Sequence, residues 1–185
     1  MEECHFLSYP TEPKQFEISE GIIFTDGMFN GKRIKKLAIF PAIIYVDGSD
    51  TDEAHEALLD LLEWGRRELG LNYSDSTIRR WAYVSNVVIQ SDISLLLNIN
   101  PVLNEIGQAV SDLVRINLRE DLVFQPSKLY IGIDPQKRSG EPAAFSIQHR
   151  GLSLFEERCY FCEAPIPTQD HLRLLEKFEA SLQKA

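Results

Sequence analysis

The alternation of hydrophobic and polar residues predicts a β-hairpin near the start of the chain. Charged and apolar side chains alternate over residues 33–40, directly after Asn30-Gly31. Asn-Gly readily supplies the two positive φ angles that a tight hairpin turn requires. Asp26-Gly27 is interpreted as a rival turn or as a bulge within the first strand. We therefore expect two antiparallel strands joined at Asn30-Gly31.

Helical periodicity predicts three amphipathic helices. The first covers about residues 51–69, the second starts at Pro101 behind an Asn100 cap, and the third is capped by Thr168. The second helix is expected to turn a wide apolar stripe toward the core. This stripe consists of Val102, Leu103, Ile106, Ala109, Val110, Leu113 and Val114.

After Pro41, residues 42–46 are predicted to form a further short strand. Four later segments also have the composition of strands. They cover residues 78–90, 128–133, 143–149 and about 154–162. The first is apolar on both faces and is therefore predicted to be central in its sheet. Because the strands cluster into hairpins at both ends of the chain, the pattern predicts an α+β fold. Its largely antiparallel sheet would carry about three packed helices.

Length and composition describe an ordinary globular chain. With 185 residues, 44% hydrophobic and 25% charged, we expect a single domain over residues 1–185, with 72–76 as the boundary if it is subdivided. No apolar run reaches membrane-spanning length, and the acidic N-terminus does not resemble a secretory signal. Cys4, Cys159 and Cys162 are expected to be thiols, which predicts a cytoplasmic location.

The chain is acidic, with 28 acidic and 19 basic residues and a net charge of −9. This balance disfavours a protein that binds nucleic acid over its whole surface, and no membrane partner is expected. Acidic residues are concentrated at the start of the first helix, where they are candidates for meeting a basic protein partner. These candidates are Asp50, Asp52, Glu53 and Glu56. Helix capping explains the same acids without a partner.

One concentrated basic run is present, and two interpretations of it stay open. The run consists of Lys32, Arg33, Lys35 and Lys36. Lysines on an exposed edge strand would guard it against pairing with another sheet. Alternatively, the run is a strip that binds phosphate or acidic groups, extended by Arg79 and Arg80.

The spacing Cys159-x-x-Cys162 suggests zinc only weakly, because a structural zinc site needs four converging ligands. His149 and His171 are the possible additional ligands, and Cys4-His5 is another such pair. Residues three apart on a strand point to opposite faces, so the two thiols are expected to diverge. The simpler interpretation is one small core residue and one surface thiol.

Cys159 and His149 are the thiol and imidazole nearest each other in sequence. A turn near Leu152 would place Cys159 opposite Phe145 instead of His149. The pair is therefore a weak candidate for nucleophilic catalysis.

Weak catalytic signals favour a non-enzymatic cytoplasmic protein that acts by protein–protein association, as a homo-oligomer or as an accessory subunit of a larger complex. No cofactor is expected. One alternative is a cation-dependent hydrolase that uses Asp47, Asp50 and Asp52 with Cys159 or His149. Another is a nucleic-acid or phosphate binder that uses the basic run at residues 32–36.

Overall fold

A computed structural model describes residues 5–72, 74–134, 136 and 143–184. Two four-stranded antiparallel sheets and three α-helices confirm the α+β class. The chain divides into two compact units, Met1–Trp81 (unit 1) and Ala82–Ala185 (unit 2), and each contains one of the sheets. That the whole chain folds as a single domain stays a prediction.

Unit 1 is built from four strands in sequential order and one helix. The strands are β1 (His5–Ser8), β2 (Ile22–Phe29), β3 (Lys32–Ile39) and β4 (Ile44–Asp47). Helix α1 (Thr51–Glu68) lies against β3 and β4. β3 pairs with β2 along its whole length but with β4 only from Lys36 to Ile39. The interpretation as a guarded sheet edge is therefore wrong for Lys36, whereas residues 32–35 have a strand partner on one side only and the interpretation stays a prediction there.

The predicted hairpin at Asn30-Gly31 is confirmed. Both residues have positive φ angles, 49° and 76°, and Phe29 pairs with Lys32 across the turn. These angles match the handedness that a two-residue connection needs to follow the twist of its strands.

Asp26 marks a distortion in β2 rather than an inserted residue. Its φ angle is 52°, yet Thr25 pairs with Lys36 and Gly27 pairs with Ile34, so the register is unchanged on either side. The predicted rival turn at this position is therefore wrong. The left-handed residue bends the ladder without adding a residue to either strand.

Helix α1 begins as the sequence predicts. The Asp50 carboxylate accepts hydrogen bonds from the backbone N–H groups of Asp52 and Glu53, at 2.9 and 2.8 Å. Its inner side places Ala57 toward the sheet, where it joins the core of unit 1, and Leu62 is also buried. The rest of that core consists of Phe29, Ile34 and Leu37.

Unit 2 contains a second sheet and two helices. The strands are β5 (Ser85–Gln90), β6 (Lys128–Ile131), β7 (Phe145–His149) and β8 (Cys159–Ala164), in the order β5-β8-β7-β6. The helices are α2 (Pro101–Leu118) and α3 (Thr168–Leu182). The prediction of a central strand over residues 78–90 is wrong, because only 85–90 form a strand and it lies at the sheet edge.

The core of unit 2 lies between the sheet, helix α3 and the segment before α2. Leu95 and Leu96 from that segment pack with Ile147, Tyr160 and Leu175. The Tyr160 hydroxyl accepts a hydrogen bond from the Leu95 backbone N–H at 3.1 Å, which fixes this segment to β8. The core of unit 2 is therefore filled without the stripe of α2.

The start of α3 differs from the prediction. Pro167 occupies the cap position, and no side chain caps the helix. The Thr168 hydroxyl instead accepts a hydrogen bond from Ser85 Oγ at 3.1 Å. The predicted Thr168 cap is wrong because proline already sets the extended backbone that precedes the helix.

Candidate functional site

Helix α2 carries the most unusual surface of unit 2. It begins as predicted, since Asn100 Oδ1 accepts a hydrogen bond from the Val102 N–H at 2.9 Å and Pro101 is the first helical residue. The predicted burial of its stripe, however, is wrong. Val102 is 55%, Ile106 55% and Leu113 58% exposed. Leu103 and Ala109 are also exposed, and Val110 and Val114 are half-buried.

The buried side of α2 consists of small residues. Ser111 Oγ donates to the Gly107 carbonyl oxygen at 2.9 Å and accepts from the Phe124 N–H at 2.8 Å. A Cβ atom on Gly107 would lie 2.5 Å from the Phe124 carbonyl oxygen. The chain that follows α2 thus packs tightly on Gly107 and Ser111, and this contact leaves the large apolar side chains on the other side.

Two further contacts hold this arrangement. Arg119 ends the helix with a φ angle of 58°, which reverses the chain. The Arg115 guanidinium then binds Asp121, with Nη2 and Nε at 2.9 and 3.1 Å from Oδ1. At the other end, Asn104 Nδ2 donates to the Leu97 carbonyl oxygen at 2.9 Å. Polar contacts therefore fix the helix at both ends on its polar side.

The exposed residues form a regular line, which we call the α2 seam. It consists of Val102, Ile106, Ala109, Leu113 and Ile116, and all five are exposed. Their alternating spacing of four and three residues is that of a helix that packs lengthwise against another helix. The seam contains no charged residue. Two acids, Glu105 and Asp112, lie beside it, one position before Ile106 and Leu113.

The basic run is partly engaged within unit 1. Lys32 Nζ lies 2.9 Å from Asp60 and 3.2 Å from Glu56, both on α1. The hydrogen bond to Asp60 raises the pKa of Lys32 above its ordinary value. Arg33 and Lys35 are exposed. One end of the run is therefore paired with the acidic helix of the same unit.

The remaining charged candidates also have structural roles or lie on different sides. Lys36 stands opposite Asp47 in the pairing of β3 and β4. Asp50 caps α1, while Asp52 and Glu53 lie in its first turn, where the helix dipole favours negative charge. Several of these charged side chains therefore already have contacts within unit 1, and a partner would have to compete with those contacts.

The two described thiols lie on opposite faces of β8, as their spacing predicts. Cys162 is buried and Cys159 half-buried. Burial raises the pKa of the Cys162 thiol to about 12, which keeps it protonated at neutral pH. Cys4 lies outside the described residues. Within the described ranges, no three His, Cys, Asp or Glu side chains are grouped so that they could hold a metal ion.

His149 packs between aromatic rings. It pairs with Tyr160 across the strands, and its ring centroid lies 4.7 Å from Tyr160 and 4.5 Å from Phe155. Leu152 lies in the connection between β7 and β8, but the predicted register, which set Cys159 against Phe145, is wrong. Burial lowers the pKa of His149. Its surroundings favour a neutral ring.

His171 belongs to the core. Its Nδ1 lies 3.0 Å from Ser85 Oγ, and Ser85 donates its own proton to Thr168. His171 must therefore donate through Nδ1–H, so Ser85 is not arranged as a nucleophile activated by this histidine. Burial also lowers the pKa of His171.

The sequence shows the apolar spacing of the α2 seam, but it does not show that the seam is exposed. The same apolar spacing is typical of a helix that packs inside its own domain, so the stripe was interpreted as core. No described helix is long and apolar enough to cross a membrane. Comparison of the chain with protein-family models, with curated proteins and with solved structures found no significant match.

Proposed function

We propose that this protein acts by protein–protein association and that it self-associates through the α2 seam. The observation that carries this proposal is a capped 18-residue helix whose uncharged, heptad-spaced apolar line is exposed. An 18-residue helix is about 27 Å long, enough for two full heptads of contact. Burying such a line removes apolar surface from water at roughly 25 cal/mol per Å².

The charge distribution supports contact at this surface. A net charge of −9 makes two copies repel each other over most of their surfaces. The seam avoids this cost where contact is closest, because none of its five residues is charged. Charged residues are typically depleted from the centres of protein interfaces, and aliphatic side chains surrounded by a polar rim are common there.

The proposal is tested by measuring molar mass with size-exclusion chromatography and light scattering over a range of protein concentrations. The wild-type chain is expected to give a multiple of 21.1 kDa. Leu113→Glu and Ile106→Glu should each give the monomer mass, because each would bury a carboxylate in the interface.

Leu152→Glu is the matched control. Leu152 is fully exposed in the turn between β7 and β8 of the same unit, so this variant adds the same charge away from α2. It should retain the wild-type mass. A wild-type chain that stays monomeric up to its solubility limit would contradict the proposal.

A further inference from the structure

Unit 2 has an apolar groove between helix α3 and the edge strand β6. Its volume is about 360 Å³, and apolar surface alone lines it. The main lining residues are Leu129, Ile131, Phe145, Ile166, Leu174 and Phe178. None of the residues that line the groove comes from α2. Ile131 and Leu174 remain largely exposed at its rim.

The position of α3 explains this groove. The helix contacts β5, at one edge of the sheet, whereas β6 forms the opposite edge. Helix α3 therefore covers the β6 side chains only in part, so that Leu129 is half-buried and Ile131 is exposed. An uncovered strand beside a helix leaves a channel into which another helix can pack.

Charges beside the groove complement those beside the α2 seam. On α3, Arg173 and Lys177 each precede a groove residue, Leu174 and Phe178 respectively, and both basic residues are exposed. On α2, the two residues that precede Ile106 and Leu113 in the seam are acidic. Within their own helices, Arg173 pairs with Asp170 at 3.3 Å and Asp112 pairs with Arg115 at 3.4 Å. Exposed ion pairs of this kind contribute little to stability, so bases beside one apolar surface and acids beside the other still favour contact between them.

We propose that the groove of one copy receives the α2 seam of a second copy. This inference rests on the proposed function and specifies its receptor. Ile106 and Leu113 would insert into the groove, which has room for a few aliphatic side chains. Glu105 and Asp112 would face Arg173 and Lys177.

Pairing of one α2 with another α2 would satisfy fewer of the observed features. The residues that follow the seam positions, Leu103, Val110 and Asn117, are uncharged, and Arg115 is already paired with Asp112 and Asp121 of its own chain. The acidic rim of one helix would therefore find no cation on the other that is not already engaged. The α3–β6 groove would also stay open to water. Insertion into the groove covers both apolar surfaces and pairs the two rims.

A pair of charge-reversed proteins tests the inference. The first carries Glu105→Lys and Asp112→Lys, and the second carries Arg173→Glu and Lys177→Glu. Each alone should associate at least about tenfold more weakly than wild type, because its seam and groove have rims of the same sign. An equimolar mixture should regain wild-type association, since each seam then meets a groove of opposite sign.

The matched control carries Arg33→Glu and Lys35→Glu. It has the same net charge as the groove-reversed protein but changes exposed residues of β3 in unit 1. It should associate like wild type. That result would show that weakening in the groove-reversed protein comes from the charges beside the groove and not from the more negative net charge. Circular dichroism should show all variants folded, because every changed side chain is exposed.

The outcomes separate this inference from the proposed function. If Leu113→Glu abolishes association but groove reversal leaves it unchanged, the inference is overturned and α2 pairs elsewhere. Failure of the mixture to recover, or equal weakening by the β3 control, would also overturn it. A wild-type monomer would contradict both proposals.

Discussion

Helices α1 and α2 have the same length and similar starts, yet they use their apolar faces differently. Each has 18 residues and an N-cap side chain, Asp50 or Asn100, that accepts backbone hydrogen bonds. Helix α1 packs Ala57 against its sheet and also buries Leu62, whereas α2 buries Gly107 and leaves its large apolar residues exposed. An amphipathic pattern thus indicates that a face needs a partner without indicating which one.

The connections before the two helices account for the difference. A short loop, residues 48–50, leads from β4 into α1 and places the helix directly on its own sheet. Before α2, residues 91–100 cross the core and fill it with Leu95 and Leu96. With those places occupied, α2 is held by its small residues, and its apolar stripe stays exposed.

The largest expected effect separates the two helices by stability. Leu62→Ala should lower the free energy of unfolding by about 2–5 kcal/mol because it leaves a cavity beneath α1. Leu113→Ala should lower it by less than about 0.5 kcal/mol when association is prevented by Ile106→Glu. Both tryptophans, Trp64 and Trp81, lie in unit 1, so their fluorescence in urea monitors the first variant. Circular dichroism monitors the second.

Equal costs for these two leucines would contradict the comparison. A large loss at Leu113 would mean that its side chain supports the fold of unit 2 itself. The proposed role of the α2 seam in association would then lose its structural basis.

A matched pair of glycines provides the next test. Gly107→Ala should destabilise unit 2 by about 1–3 kcal/mol, because the new Cβ would lie 2.5 Å from a backbone oxygen of Phe124. Gly65→Ala in α1 should stabilise unit 1 by about 0.5–1 kcal/mol. Its Cβ would meet Leu71 at an ordinary 3.5 Å. Denaturant unfolding of both variants measures the difference, and a neutral Gly107→Ala would show that the following chain can move away.

The third prediction, which has the smallest expected effect, is that acid destabilises unit 2 more than unit 1. Burial lowers the pKa of His149 and His171, both in unit 2, below the ordinary value of 6.5. As pH falls, these two histidines therefore bind protons at a higher pH in the unfolded chain than in the folded chain. The stability of unit 2 should be complete above that value and should fall as pH drops below it.

Amide hydrogen exchange at about pH 7.5 and pH 5.5, corrected for intrinsic exchange, measures this effect in each unit. His149→Phe, which keeps an aromatic ring beside Phe155 and Tyr160, should reduce the acid sensitivity of unit 2. Equal acid sensitivity in both units would contradict the assignment to the buried imidazoles.

Local features were predictable because neighbouring residues determine them. The Asn30-Gly31 turn and the caps at Asp50 and Asn100 follow from short-range hydrogen bonding and φ preferences. The opposite orientation of Cys159 and Cys162 follows from strand geometry. Strand positions within each sheet were not predictable, because the place of β3 and β5 depends on which distant strands pair with them.

The sequence alone determined the three helices and most of the strands, and it determined that α2 has an apolar side. Only the tertiary structure decided that this side faces solvent, that Lys32 pairs with α1, and that a groove opens beside β6. Periodicity is a property of one segment, whereas burial depends on what the rest of the chain brings against it. In unit 2 the core is filled by other residues, so the apolar side of α2 stays exposed although its pattern predicts burial.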